Sequence, residues 1–582
     1  MRLVFAIISF ALAALLIGFG IAQRTVLKGP DHLTATVATT SEATVSVIDG
    51  ATLNSFDHSQ TVRLTDADTI FAAYGRTTDV LAWVGDASYN AISFDAEKNQ
   101  LATTLVSGSE TEVPNPAGSD LWLADYTETK DLRFTVNVPE DISVLIVSDG
   151  VKPAPAAVSV TWQLDNSTPF AGPLVVGGAV LLLLGLGFLL WAVNDIRKSR
   201  GPRRKQPRLP KVPPKPVYKP LKKGAPQPAA ISRGRRSAGM IAVPSILVGA
   251  LLLSGCTQDP LTMLEDGQTL EVASTATPET DFDAPAVTEP QAKRIVNRIA
   301  TTVAEADAVG DATLLATRMN GPALALRTSN YAIRKVVADY SVVPAVIPTS
   351  TVEITLPQQN EGWPRTVIAV VQGADLTVAP QTLVMVQDDA RSQYKVHYAV
   401  SLEPGTVFPK VPPASIGTSR VAPDSPLLAT SADSLAAAYG ETILLDVASP
   451  AYELFQTEGD TLRVSIGKAY QDAKIAATPS TAQLSFANAP GTGEVVVMVT
   501  NDDGAIVAVE LTESETIKPI ETGAAANAPT DVAALLGKSM STKGLTANYS
   551  DQLLFYVPSV KTGGKIVLLG YSQGLISAAE LP

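Results

Sequence analysis

Three long apolar runs interrupt a chain that is otherwise mixed in polarity. They cover residues 3–22, 171–193 and 238–256. An apolar run of about twenty residues is long enough to span the hydrocarbon core of a bilayer. The first run predicts a signal anchor or a signal peptide cleaved after the small residues at 20–22. The second predicts a transmembrane helix, so the chain is expected to be membrane-anchored by two to three transmembrane helices.

The region between the first two runs alternates between apolar and polar positions. Apolar side chains occupy every second position of 132–138 and of 158–164, and 143–148 is almost continuously apolar. Such alternation is typical of half-buried antiparallel strands. Turn sequences such as Asp149-Gly150 separate the runs. Residues 25–168 are therefore predicted to form an all-β sandwich of about eight or nine strands.

Helical spacing comes before strand-like alternation in the C-terminal part. A polar tether at 257–287 leads to a capping-box sequence at Thr288, and apolar residues follow it at helical spacing. Strands are predicted next, at 322–328, 351–356, 366–372, 382–387 and 394–402. The same order recurs later, with helices at 431–445 and 460–477 and hairpins at 494–512 and 553–570. Helices followed by a curled antiparallel sheet are the pattern of cystatin-like or NTF2-like domains. Two α+β domains in tandem are predicted, at 288–403 and 427–582.

A basic, proline-rich linker separates the two predicted folded parts. Residues 194–237 carry fifteen Lys or Arg, one acid and nine prolines, in a chain whose net charge is −13. The prolines favour an extended tether. Positive charge beside apolar spans marks the cytoplasmic side of a membrane. This predicts a multi-pass plasma membrane protein with residues 194–237 in the cytoplasm and both folded parts outside. The acidic remainder argues against nucleic acid as a partner.

The third apolar run ends in a lipobox-like sequence, Leu253-Ser254-Gly255-Cys256. Arginines at 233–236 and the apolar stretch 240–252 precede it, as in a bacterial lipoprotein signal. This predicts a diacylglyceryl group on Cys256 and cleavage before it. The alternative is a third transmembrane helix with a buried cysteine at its end, because lipoprotein signals normally begin a chain. Cys256 is the only cysteine, which excludes an intramolecular disulfide.

Candidate catalytic chemistry is sparse. Gly570 to Gly574 (GYSQG) fits the G-x-S-x-G pattern of a serine esterase, but only eight residues follow and none is histidine. The segment is therefore predicted to be a strand ending in a glycine turn, with an esterase using Ser572 as the less favoured reading. His397 is predicted to lie solvated on the polar face of strand 394–402. No catalytic residue, metal site or cofactor is predicted.

Aromatic residues in the first folded part raise one binding hypothesis. Trp83, Trp122 and Tyr126 have the composition of a carbohydrate platform, but at this spacing such aromatics are more often core or rim residues. An envelope protein or glycan is the partner that this part of the chain would bind.

Several short sequences resemble those of an uncharacterised family of actinobacterial membrane proteins or lipoproteins. They are SDLWL (119–123), VTW (160–162), TPFAGPL (168–174), RMNGPALALR (318–327), GWPRT (362–366) and LFYVP (554–558). The resemblance covers most of the chain and implies no activity. The expected function is non-enzymatic binding or scaffolding in the cell envelope. Ligand or lipid binding by the NTF2-like domains is the alternative.

Overall fold

The structure is a computed structural model that describes residues 2–39, 41–199, 283–349 and 351–582. The chain divides into two compact units. One holds two long apolar helices, and the other joins residues 32–163 with the described residues from 283 onward. The predicted lipobox (Leu253, Ser254, Gly255 and Cys256) lies outside the described residues, as do nearly all of the basic linker and most of the tether. Those predictions therefore remain predictions.

The helices, numbered along the described residues, are α1 (Arg2–Thr25), α2 (Gly50–Leu53), α3 (Thr77–Val84), α4 (Ala171–Ser199), α5 (Glu289–Val309), α6 (Ala312–Leu315), α7 (Gly321–Val336), α8 (Leu435–Leu445), α9 (Thr461–Ile466), α10 (Lys468–Ala477) and α11 (Thr530–Leu536). The strands before residue 164 are β1 (His32–Ala38), β2 (Val45–Ile48), β3 (Gln60–Thr65), β4 (Ile70–Arg76), β5 (Tyr89–Asp95), β6 (Gln100–Val106), β7 (Ala124–Glu128), β8 (Asp131–Val136), β9 (Ile142–Val147) and β10 (Ala157–Gln163). Those after residue 283 are β11 (Thr351–Pro357), β12 (Arg365–Gln372), β13 (Gln381–Gln387), β14 (Lys395–Leu402), β15 (Ala482–Pro490), β16 (Val496–Val499), β17 (Ala505–Pro519), β18 (Ala526–Asn527), β19 (Met540–Ser541), β20 (Leu545–Val557) and β21 (Val567–Glu580).

The first unit is built on α1 and α4, which are long and apolar enough to cross a membrane by length and composition. The two helices pack against each other through small residues. A Cβ added at Gly178 would lie 2.5 Å from Ile17 Cγ1, and one at Gly20 would lie 2.7 Å from Val175 Cγ2. Ala13 is fully buried in the same contact. Small side chains let two apolar helices approach closely, which is how helices associate in lipid.

The N-terminal β region (residues 32–163) consists of two sheets around one core. The four-stranded sheet has the order β1-β10-β3-β8, and the six-stranded sheet has the order β6-β5-β2-β9-β4-β7. Trp162 of the first sheet and Val144 of the second are both fully buried in the shared core. All pairs are antiparallel except β2 with β5, which are parallel and are separated along the chain by α2, β3, β4 and α3. The predicted β-rich character of this region is confirmed.

The six-stranded sheet is covered on both of its faces. Every residue of β9 is buried, because one face packs in the shared core and the other packs on α3 and on Ala390 from the C-terminal part. A strand buried on both faces must be continuously apolar. This explains the unbroken run that the sequence shows at 143–148.

The C-terminal region (residues 283–582) is organised around one nine-stranded sheet. Its order is β11-β12-β13-β14-β21-β20-β17-β15, and β16 also pairs with β17. The predicted strands from 351 to 402 and the two predicted hairpins are present. The two predicted tandem domains meet where Ser401 pairs with Tyr571 and Leu402 pairs with Gly570. They therefore share a single sheet.

The large sheet curls so that its two halves face each other. Ile368 and Val384 of the first half pack in one core cluster with Ile506 and Leu554 of the second. Helices α5–α7 cover the outer face of the first half, and α8 and α9 cover the outer face of the second. This gives a C-terminal β-rich region with helices on its outside.

One predicted strand is wrong. Residues 322–328 lie inside α7, whose N-cap Asn320 accepts a hydrogen bond from Gly321 N at 2.8 Å, with a proline in the first turn. The alternation in GPALALR is compatible with a strand by local pattern alone. The segment forms a helix because the Asn-Gly-Pro sequence is a helix start signal and because one face of the helix is buried.

The prediction for His397 is also wrong. Val384 pairs with Tyr398 while Met385 pairs with Val396, so a β-bulge leaves His397 without a cross-strand partner. A bulge reverses which side chains face which side of the sheet. Val396 therefore packs beneath the helices, while Tyr398 packs in the cluster between the two halves of the sheet. His397 is only 8% exposed, and burial lowers the pKa of its imidazole.

A candidate ligand-binding cavity

A cavity of about 550 Å³ lies between α7, the segment 340–345 and the sheet. Its floor comes from β14, β20 and β21. A volume of this order lies within the range of small-molecule sites in proteins, which are usually concave and largely preformed. The cavity is therefore the candidate functional site of the C-terminal region.

One face of α7 forms the first wall. Ala323, Leu326, Arg327, Asn330 and Ile333 all line the cavity. They recur at the three- and four-residue spacing that places side chains on one side of a helix. Gly574 of β21 lies directly beneath Leu326, and a side chain there would collide with it. Glycine at 574 thus lets the helix approach the sheet.

The segment 340–345 forms the second wall, and side chains from the first wall and the sheet hold it in place. Asn330 Nδ2 donates to the carbonyl of Val342 at 2.7 Å, and Arg327 Nη2 donates to that of Ala345 at 2.5 Å. Gln381 Nε2 donates to the next carbonyl, that of Val346, at 2.8 Å. The segment has no helix or strand of its own, so these bonds satisfy its backbone.

The charged groups that line the cavity already have hydrogen-bond partners within the protein. The Arg327 guanidinium is ion-paired with Asp307 of α5, and Tyr331 OH donates to the same carboxylate at 2.5 Å. Burial, followed by the bond to Asp307, raises the pKa of the Tyr331 hydroxyl. The Glu403 carboxylate accepts hydrogen bonds from the backbone and hydroxyl of Thr461 at 2.8 and 2.9 Å. Arg327 is thus neutralised by an ion pair, whereas Glu403 is held by hydrogen bonds from neutral groups.

The remaining polar lining consists of amides and hydroxyls. Tyr571, Ser572 and Gln573 come from β21, and Gln552 comes from β20, where its Oε1 accepts from Ala399 N at 2.9 Å. Asn330 is 6% exposed, and its Oδ1 has no hydrogen-bond partner among the described residues. A buried amide oxygen without a partner is costly. This oxygen is itself buried, so it is a cost within the wall of the cavity and not an acceptor on its surface.

Buried acids lie behind the floor of the cavity. Gln573 Nε2 donates to Glu513 Oε2 at 3.2 Å, and Gln573 pairs across the strands with Asp551. Asp551 is fully buried, and neither of its carboxylate oxygens has a hydrogen-bond partner among the described residues. Burial and the nearby Glu513 raise the pKa of Asp551 well above its ordinary value. Burial and Glu515 raise the pKa of Glu513 to about 7. Burial therefore favours the neutral form of Asp551, which can donate a hydrogen bond.

Residues 283–580, slightly more than half of the chain, match the family model described as "Domain of unknown function (DUF8094)". The chain belongs to this family. The predicted resemblance to an uncharacterised family is confirmed in that the chain belongs to a family of unknown function. No curated protein and no solved structure matches the chain. The C-terminal region is called the DUF8094 region from here on.

The G-x-S-x-G sequence of the DUF8094 region is not a nucleophile elbow. Ser572 pairs with Gln552 in the middle of β21, which continues to Glu580. The elbow requires a sharp turn between a strand and a helix. The predicted glycine turn is also absent, because the strand runs through Gly574. Ser572 instead faces the cavity, where His397 is not among the lining residues.

The predicted aromatic platform is part of a core. Trp83 and Trp122 are 1% and 2% exposed, with ring centroids 5.7 Å apart, and Tyr126 stacks on Phe134. These are core residues, as their spacing suggested. Within the described ranges, no cluster of three or more His, Cys, Asp or Glu is placed to hold a metal ion.

The residues of the cavity were missed because no local pattern marks them. The one signal was RMNGPALALR, which contains Leu326 and Arg327. Their partners Ala345, Gln381 and Gly574 lie far along the chain, so their meeting depends on the curl of the sheet.

Proposed function

We propose that this protein is a membrane-anchored, non-enzymatic binding protein of the cell envelope, and that the cavity of the DUF8094 region holds its ligand. The observation that carries the proposal is the cavity of about 550 Å³, which is lined by aliphatic, amide and hydroxyl side chains. The helices-then-sheet order, with the cavity between α7 and the sheet, supports an NTF2-like character. The resemblance of the short motifs supports an actinobacterial setting.

The lining indicates the chemistry of the ligand. Arg327 is ion-paired with Asp307 and Glu403 is hydrogen-bonded to Thr461, so both already use their polar atoms within the protein. Aliphatic side chains alternate with amides and hydroxyls, and Val342 and Val343 beside the cavity expose more than half of their surface. These features favour a neutral amphipathic molecule, such as a lipid with an uncharged headgroup.

The placement of both folded regions outside the membrane is part of this proposal. The N-terminal β region and the DUF8094 region touch through buried side chains, so both lie on one side of any membrane that the chain crosses. If α4 spans, the chain must cross back between residues 199 and 283. The apolar run 238–256 is the sequence suited to that return, as a third span or as a lipoprotein signal ending at Cys256. The basic charge of 194–237 favours the cytoplasm for the linker.

The test is native mass spectrometry of the full-length protein, purified in mild detergent from an actinobacterial host. The wild-type protein is expected to carry a bound small molecule of constant mass. Ser572→Phe places a large side chain in the cavity and should remove that molecule. Ser577→Phe is the matched control, because Ser577 is an exposed residue of the same strand that does not line the cavity. Absence of any adduct in the wild-type protein, or its persistence in Ser572→Phe, would contradict the proposal.

A further inference from the structure

The contact between the N-terminal β region and the DUF8094 region contains two buried ionic clusters. Arg365 of β12, which is fully buried, donates to Asp79 of α3 at 2.7 Å. Arg318, just before α7, donates to Asp120 at 2.5 Å, and the backbone N–H of Tyr394 donates to the same carboxylate at 3.0 Å. Both aspartates come from the β region and both arginines come from the DUF8094 region. Each partner thus compensates a charge that the other region buries.

Further donors of the DUF8094 region are aimed at backbone carbonyls of the β region. Arg391 donates to the carbonyls of Trp83 and Val84, each at 2.8 Å. Gln291 of α5 donates to the carbonyl of Leu121 at 2.9 Å, and Arg294 donates to that of Trp122 at 3.0 Å. Trp83 and Val84 end α3, where the last carbonyls of a helix have no intrahelical partner, and Leu121 and Trp122 lie outside the helices and strands.

An apolar cluster completes the contact. Trp83 and Trp122 of the β region pack with Ala390 and Trp363 of the DUF8094 region. Trp363 also stacks under the Arg365 guanidinium, 4.0 Å from its ring centroid. A buried aromatic centre with compensated charges is the arrangement that dominates stable protein interfaces.

Separation of the two regions would take Asp120 and Arg365 away from their ionic partners, whereas Asp79 would keep its contact with Arg76 of its own region, at 3.2 Å. Substituting one partner of a buried pair while the regions stay together is strongly destabilising, because the remaining charge is buried without full compensation. Buried pairs are also screened far less by salt than exposed pairs. The contact should therefore hold without a covalent connection between the regions.

We propose that the N-terminal β region is the binding partner of the DUF8094 region, and that the two stay bound as separate polypeptides when the chain between them is cut. Processing at the predicted lipobox would then produce a two-piece complex and would not release the halves from each other. This inference does not depend on the cavity or on its ligand, so the two proposals can fail independently.

The experiment uses the full chain with a site-specific protease sequence inserted within 257–282 and an affinity tag at the C-terminus. Cleavage there leaves the tagged fragment without any of the three apolar runs, so a shared detergent micelle cannot hold the fragments together. After cleavage in mild detergent, the tagged fragment is immobilised and washed at about 0.5 M salt, which screens exposed charges. The fraction of N-terminal fragment retained over time is the measurement.

We expect the wild-type N-terminal fragment to stay bound through the wash. Asp79→Asn combined with Asp120→Asn should speed its release by about tenfold or more, because two buried arginines lose their counter-charges. Asp131→Asn is the matched control. It removes an acid of the same region that is half exposed and pairs with Arg63 of that region, so retention should be unchanged.

A variant on the other side of the contact guards against misfolding of the β region. Arg391→Ala removes three hydrogen bonds from a side chain that is 28% exposed, and it should also speed release. Immediate loss of the wild-type fragment after cleavage would overturn the proposal. If the N-terminal fragment is retained equally in the wild-type protein, in Asp79→Asn/Asp120→Asn and in Arg391→Ala, these residues do not hold the two regions together.

Discussion

Glu513 is a buried acid whose ionised form is destabilised by its surroundings in the folded protein. It lies on β17 with 3% of its surface exposed, near Glu515 of the same strand. Burial and that neighbour raise the pKa of Glu513 from 4.5 to about 7. Between those two pH values the folded state binds more protons than the unfolded state. Its free energy of unfolding should therefore fall as the pH rises through this window.

The variant Glu513→Gln tests this behaviour. Glutamine keeps the shape and cannot ionise, so the variant should be more stable than the wild-type protein above pH 7, by on the order of 2 kcal/mol. Near pH 4 the two proteins should unfold at the same temperature. The measurement is thermal unfolding of the detergent-solubilised protein at both pH values. An equal difference at both would show that Glu513 does not titrate in this window.

His397 and Asn330 illustrate what the sequence could not predict at this scale. The alternation of 394–402 correctly predicted a strand, but not the bulge that places His397 in the interior. The bulge is defined only against β13, so a single strand carries no sign of it. Asn330 looks like an ordinary helix residue until Val342 is known to lie beside it.

At the scale of elements, the packing of α1 on α4 shows which glycines of α4 lie in the contact between the helices and which do not. A Cβ at Gly178 would lie 2.5 Å from Ile17 Cγ1 and 3.1 Å from the Ala13 carbonyl oxygen. A Cβ at Gly187 would have nothing within 4 Å. The sequence has glycine at both positions, and only the position of the partner helix decides which of the two is used in packing.

Gly178→Leu should therefore disrupt the helix pair, at a cost of about 1–3 kcal/mol typical of overpacking, while Gly187→Leu should have little effect. Cysteines at Phe5 and Phe188, whose rings lie 6.4 Å apart, would be joined by a short bismaleimide in a Cys256→Ala background. Cross-linking should fall several-fold in Gly178→Leu only. The same yield in both leucine variants would refute this packing.

The elements themselves were largely predictable where periodicity was strong. The alternation in β8 and β10 and the capping box at Thr288 each mark the element that forms. Prediction failed in α7 and at the end of β21, where local composition favours one structure and tertiary packing selects another. In β21 the strand passes through Gly574 because β20 pairs with it along most of its length.

At the scale of the whole molecule, the principal difference from the sequence-based expectation is the docking of the two folded regions. Arg365 and Asp79 are 286 positions apart, and Arg318 and Asp120 are 198 apart. No local pattern predicts such pairs. In retrospect, SDLWL supplies Asp120, RMNGPALALR supplies Arg318 and GWPRT supplies Arg365. Three of the short motifs therefore meet at this contact.

Docking makes membrane sidedness the central claim, because two regions that touch must lie on the same side. The decisive measurement is labelling of single cysteines in intact cells with a membrane-impermeant maleimide, in a Cys256→Ala background. Suitable positions are Lys152 in the β region and Lys561 in the DUF8094 region, whose side chains are 65% and 84% exposed, and Lys205 in the linker.

Lys152→Cys and Lys561→Cys should both be labelled in intact cells, and Lys205→Cys only after the membrane is permeabilised. Labelling of Lys561→Cys only after permeabilisation, with Lys152→Cys labelled from outside, would put the two regions on opposite sides of the membrane and contradict the account.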